Sequence, residues 1–124
     1  MIMKINRSIL PLLALFILLF SCNSGEHNKM ILGKWTGIEW LVDGHPSSHT
    51  AGEAVFTFNE DGVYTFEYAG NVEHGKYYVN NNELFTTPDG GIKMMVKIPK
   101  LSQDTLIFDM NRGGQAEKLT LIRN

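Results

Sequence analysis

EAVFTFNEDGVYTFEYA, residues 53–69, reads as two alternating runs joined by a turn. In the first run Ala54, Phe56 and Phe58 share one face, and Glu53, Val55, Thr57 and Asn59 share the other. In the second, Tyr64, Phe66 and Tyr68 oppose Val63, Thr65 and Glu67. A period of two is the signature of a strand with one buried face. The turn between the runs fixes their register. A two-residue turn at Asp61-Gly62 would pair Phe58 with Thr65 and set an apolar face against a polar one. A three-residue loop over 60–62, with Gly62 left-handed and a bulge, pairs Asn59 with Val63, Phe58 with Tyr64 and Phe56 with Phe66. Partners across a hairpin point to the same side, so the bulged turn is predicted.

The same reading extends along the chain. Turn signals recur at Asp43-Gly44, Gly70-Asn71, Asn80 to Asn82, Asp89-Gly90-Gly91, Pro99-Lys100 and Gly113-Gly114. Runs rich in aromatic and β-branched residues lie between them. They predict eight strands, over 34–42, 53–59, 63–69, 74–80, 83–87, 91–98, 104–110 and 115–123. Met30 to Leu32 can form one short helical turn. In the sixth strand Ile92, Met94, Val96 and Ile98 oppose Lys93, Met95 and Lys97. The seventh strand buries Leu106, Phe108 and Met110, and the eighth buries Leu119 and Leu121. A four-residue loop over 111–114 would set Leu106 opposite Leu119. The expected class is all-β, an eight-stranded antiparallel up-and-down barrel that closes its own edges. A sandwich is the alternative.

Composition narrows the function classes. The 124 residues are 44% hydrophobic and 19% charged, a globular balance. From Cys22 onward there are 103 residues, with nine Lys and Arg against thirteen Asp and Glu, a side-chain balance of −4. A nucleic-acid binder would need a basic surface. No strained Ser elbow, Gly-rich phosphate loop or metal motif of known spacing is present, so neither an enzyme, a metal site nor a cofactor is expected. Glu60-Asp61 are adjacent carboxylates, but they sit in a hairpin turn, where such residues are common.

The N-terminus reads as an export signal. Lys4 and Arg7 precede twelve uncharged apolar residues, Ile9 to Phe20, too few to span a bilayer. Cys22, the lone cysteine, follows Leu19-Phe20-Ser21, and that stretch resembles the lipobox of bacterial lipoproteins. The resemblance implies a signal peptide over 1–21 and a diacylglyceryl thioether on Cys22. Residues 22–29 then serve as a polar tether that includes His27, and residues 30–124 form the barrel domain. Two or more acyl chains hold a protein stably where one does not. The implied location is the bacterial cell envelope, with the outer membrane as the expected site.

Gly33-Lys34-Trp35 opens the first strand, and Arg123 stands in the last. These positions, with Ile31-Leu32 ahead of them and Leu119 to Arg123 at the end, resemble the small lipocalin-like domains of bacterial lipoproteins. The T-D-Y motif of lipocalins is absent; Pro99 to Asp104 reads Pro-Lys-Leu-Ser-Gln-Asp. The resemblance implies that Gly33, Trp35 and Arg123 close the barrel's bottom. In a meander the loops alternate between ends, which sends the loops at 43–52, 69–74, 87–91 and 111–114 to an open mouth. Trp40, His45, His49, His74 and Arg112, with Asp43 and Asp89, are the candidate mouth residues. They would recognise a ligand's polar head group, or be polar simply because loops are. Phe56, Phe58, Tyr64, Phe66, Tyr68, Met94 and Phe108 are the candidate interior. An eight-stranded barrel either fills with side chains or holds one small ligand, and rings this large leave both open. Two functions follow. One is an anchored carrier of a small hydrophobic molecule. The other is a filled barrel that contacts another envelope protein.

Overall fold

The computed structural model describes residues 29–124. The leader, Cys22 and most of the tether lie outside the described residues. A helical turn at residues 29–31 leads into β1 (Gly33–Val42). A two-residue strand, β2 (His45–Pro46), folds back on β1, and a 3₁₀ turn (Ala51–Glu53) leads to β3 (Val55–Phe58). Then follow β4 (Val63–Tyr68), β5 (Asn71–Asn80), β6 (Glu83–Pro88), β7 (Met94–Leu101), β8 (Thr105–Arg112) and β9 (Gln115–Arg123). Each long strand pairs antiparallel with the next, and β1 pairs with β9 as well as with β3. That last pairing closes eight strands into a barrel, the expected architecture, and excludes the sandwich.

The first hairpin has the register that its faces demanded. Phe58 pairs with Tyr64 and Phe56 with Phe66. The Asn59 N–H donates to the Val63 carbonyl at 3.0 Å, and Gly62 has φ 81°.

Four turn regions differ from expectation. Ala69 and Gly70 form a two-residue turn with φ of 49° and 84°, so β5 starts at Asn71 and pairs with Tyr68. The loop expected over 69–74 is therefore mostly strand. Gly113 and Gly114 likewise turn the chain in two residues, with φ of 61° and 86°. Consecutive positive φ angles suit the right-handed twist of a tight hairpin. Phe108 then faces Leu119 and Leu106 faces Leu121, two residues from the expected register. A shift of two leaves every side chain on its own face, so the interior is unchanged. Finally, β7 starts at Met94, and Ile92, expected inside, is 81% exposed in the preceding loop. Pro99-Lys100 is not a turn. Pro99 has no N–H for the ladder, and the register slips between Lys97 and Lys100 to absorb it.

Another bulge, between Gly37 and Glu39, places both tryptophans. Five residues apart, Trp35 and Trp40 would face opposite ways on an unbroken strand. The extra residue, Ile38, is pushed outward and is exposed, while both indoles are buried. The lower barrel is solid. Trp35, Phe58, Leu106 and Leu121 are fully buried there, with Val79 and Ile98 beside them.

Gly62→Ala should destabilise the protein by about 1–2 kcal/mol, the left-handed penalty for a residue with a Cβ. Gly52→Ala is the control, because its backbone is not left-handed and an added Cβ meets open space. Equal urea midpoints for the two variants would show that the bulged turn does not constrain the fold.

Candidate functional site

The bottom of the barrel is closed by one cation. The Arg123 guanidinium lies 4.2 Å over the Trp35 ring. It donates to the carbonyls of Leu32 and Met30 ahead of β1, and to Gln103 in the loop before β8. The Trp35 indole N–H donates to Ile31 at 2.8 Å, so the helical turn is bound at two points. Gly33 has φ 114°, and a Cβ there would sit 2.9 Å from the guanidinium. The glycine and the tryptophan of the G-x-W stretch thus serve the same contact.

Above this plug the barrel is hollow. A cavity of about 410 Å³ lies among Trp40, Phe56, Tyr64, Phe66, Leu84 and Phe108, with Met94, Val96 and Met110 toward the rim. Phe56 stacks on Phe66 at 4.4 Å and meets Phe108 edge-on at 5.3 Å, which fixes three walls. Phe58 lies lower, edge-on to Tyr77 at 4.9 Å, outside the cavity lining.

The mouth is strapped on one side. His49 stacks on Trp40 at 4.5 Å, and its Nδ1 lies 3.3 Å from the Tyr68 hydroxyl. That hydroxyl also accepts the Thr50 N–H at 3.3 Å. The segment between β2 and the 3₁₀ turn is thereby held across Trp40 and Tyr68. The other side is open. Lys97–Asp109 is the uppermost β7–β8 pair, and the strands part above it. Met95 and Asn111 reach the cavity through this gap, and Met94, Met95 and Ile92 form an exposed apolar lip. A shallower groove of about 550 Å³ adjoins it over the outer row Leu41, Lys118, Asp109 and Lys97.

Not all candidate mouth residues meet here. Trp40, His49 and Arg112 do. His45 is exposed on β2, and His74 lies mid-strand on β5, opposite outward-facing Thr65. The turn at Ala69-Gly70 explains the misplacement of His74, because it turned a predicted loop into strand. Among the described residues no three His, Cys, Asp or Glu side chains gather as a metal site would need.

Three polar interior residues were not anticipated. Glu73 lines the cavity and accepts the Tyr64 hydroxyl at 2.7 Å through Oε2. Thr86 lines it from β6 and is buried. Glu117, also buried, accepts the Trp40 indole N–H at 2.8 Å. Burial and then the Glu73 carboxylate push the Tyr64 phenol far above its ordinary pKa, with a small further push from Asp89, so it remains a donor. Arg112 stands at the rim, largely exposed, 3.6 Å from the other oxygen of Glu117. An exposed pair of that kind contributes little. The strand period could have found both glutamates. Glu117 is two residues before Leu119 and four before Leu121, and Glu73 continues the Gly75–Tyr77–Val79 face.

The sequence model of a family described as lipocalin-like domain matches residues 31–108. A crystal structure of a lipocalin-like protein from Bacteroides uniformis superposes with a TM-score of 0.58 at 16% identity, covering 77% of this chain and 99% of that one. An uncharacterised protein from Bacteroides eggerthii gives a TM-score of 0.56 at 14% identity, covering 75% and 98%. At such identities the two structures speak to the fold alone. No curated protein sequence matches the chain.

Replacing Glu117 with alanine should cost about 2 kcal/mol, because it leaves a buried indole N–H without an acceptor. Glu117→Gln keeps an acceptor and should recover more than half of that loss. Urea denaturation of both variants reads the difference, and equal losses would show that the Trp40 bond is not what Glu117 supplies.

Proposed function

The chain belongs to the lipocalin-like domain family, and on that premise we propose that it holds a small, mainly apolar molecule in the upper half of its barrel. The observation that carries this reading is the cavity of about 410 Å³ above the Trp35 plug. Its size falls within the range of small-molecule sites, and its walls are aromatic and aliphatic with few polar groups, as such sites are. The gap above Lys97–Asp109 supplies an entrance, and the strap bearing His49 covers the opposite rim. A filled barrel that acts only through its outer surface is the reading that the hollow upper half supports least. The role is binding, not catalysis.

We further propose that the protein is exported and anchored in the bacterial envelope, at the outer membrane, by acylation of Cys22. The support is in the sequence: a basic start, twelve apolar residues and Leu19-Phe20-Ser21-Cys22. Envelope neighbours are then the protein partners to expect.

Occupancy is read by fluorescence. Trp40 lines the cavity and Trp35 lies below it. Naphthylmethanol titrated into the Trp35→Phe variant should change the Trp40 emission saturably, with a Kd below about 100 μM. The Trp40→Phe variant, which keeps Trp35, should respond much less. No saturable change below that concentration would overturn the binding reading.

The anchor is read by mass. Protein extracted from membranes should begin at Cys22 and carry the added mass of its acyl groups. Cys22→Ala should retain residues 1–21. A free thiol at Cys22 in membrane-extracted protein would count decisively against the anchor.

A further inference from the structure

The polar side of the cavity carries a charge that the protein itself does not neutralise. Glu73 faces inward on β5, opposite Phe66 and next to the Tyr64 hydroxyl. Tyr64 satisfies Oε2 with one neutral hydrogen bond. Among the described residues, no Lys, Arg or His lies within ion-pairing distance of this carboxylate. The cation closest in role is Arg112, but it is turned to the rim and is already 3.6 Å from Glu117. Glu117, which is buried, brings a second carboxylate to the same half of the barrel, beside part-buried Glu73. Of the charged side chains that line the cavity, Glu73 is the acid and Arg112, at the rim beside Glu117, is the base. Placing a carboxylate away from water is costly unless it is paired. Glu73 is part-buried, so a cationic ligand that closed over it would supply the partner that the chain does not.

The walls around Glu73 point the same way. Trp40, Phe56, Phe66 and Phe108 present rings to the cavity. Aromatic faces carry negative quadrupole charge and attract cations, most strongly when water is excluded. A carboxylate set among such rings favours an ammonium over any other head group. A fatty acid, by contrast, would bring its own carboxylate into a site already negative.

We infer that the cavity takes a small organic cation, an amine with a planar or branched apolar body, seated with its ammonium on the Glu73 carboxylate and its body among Phe56, Phe66 and Phe108. This deepens the binding role proposed above and rests on it. The volume limits the body to about ten to fifteen non-hydrogen atoms. Thr86, buried on β6 beside this group, offers a hydroxyl for a second N–H. Tyr64 keeps its proton and holds Glu73 by Oε2, which leaves Oε1 for the ligand.

Three probes of nearly equal shape separate the outcomes: naphthylmethylamine, naphthylmethanol and naphthoic acid. Calorimetric titration into the wild-type protein at neutral pH should show the amine binding about tenfold or more tightly than the alcohol, with the acid weakest. In Glu73→Gln, which keeps the shape and an acceptor for Tyr64, the amine's advantage over the alcohol should shrink to about twofold. If amine and alcohol bind the wild type equally, or the acid binds best, the cation inference is overturned and the cavity still binds apolar molecules. If none of the three binds, the binding role fails and the inference fails with it. The comparison among probes in the wild type does not depend on any variant folding.

Discussion

The barrel depends on β1 being claimed from both sides. β3 takes its first four residues, and β9 pairs along nearly its whole length. A sheet of eight strands that did not make the second pairing would end in two exposed edges, each a row of unpaired N–H and C=O groups. Closing it demands that one strand serve two neighbours while its side chains still point to a single interior. The bulge at Ile38 reconciles these demands. It moves one residue out of step, so that Trp35 can seat under Arg123 and Trp40 can face the cavity from the same strand. Closure and the placement of both indoles are thus one event.

The two halves of the interior differ because their strands are tied differently. Below, Arg123 draws the entering turn, the loop before β8 and the Trp35 ring into a single contact, and the surrounding side chains are fully buried. Above, the slip at Pro99 takes β7 out of register with β8, and the two strands part toward the rim. Phe56 stacks on Phe66 along the wall and meets Phe108 edge-on across the interior, from β3 to β8. The space that remains is lined by all three rings.

Much of this was legible before the structure. The register of the first hairpin follows from face agreement alone, since only a loop of odd length lets Phe58 meet Tyr64. The barrel's bottom was legible through Gly33, Trp35 and Arg123. What escaped notice escaped for two physical reasons. Turns with consecutive positive φ are shorter than the clusters of polar and small residues that signal them, so Gly70-Asn71 and Gly113-Gly114 suggested longer loops than the two residues that turn the chain. The first of these errors put His74 at the mouth and hid Glu73 in a supposed loop. The second reason is that polar residues on an inward face break the pattern used to find that face. Glu117 precedes Leu119 at strand period, but a charged residue is no signal of an inward face; the Trp40 indole is what makes its burial tolerable.

The direction from which the chain enters the barrel has a geometric consequence. Residues 29–31 dock under Arg123, at the end away from the cavity's opening. Cys22 stands seven residues before Lys29 in the sequence, a reach of about 25 Å at full extension. That is shorter than a ten-residue strand such as β5, about 33 Å from end to end. An acyl anchor at Cys22, as proposed, therefore stands the barrel on its plugged base with the opening turned to the aqueous side. In that posture the protein would load and unload from solution or from a soluble donor. The bilayer would fix where the exchange takes place without being a party to it.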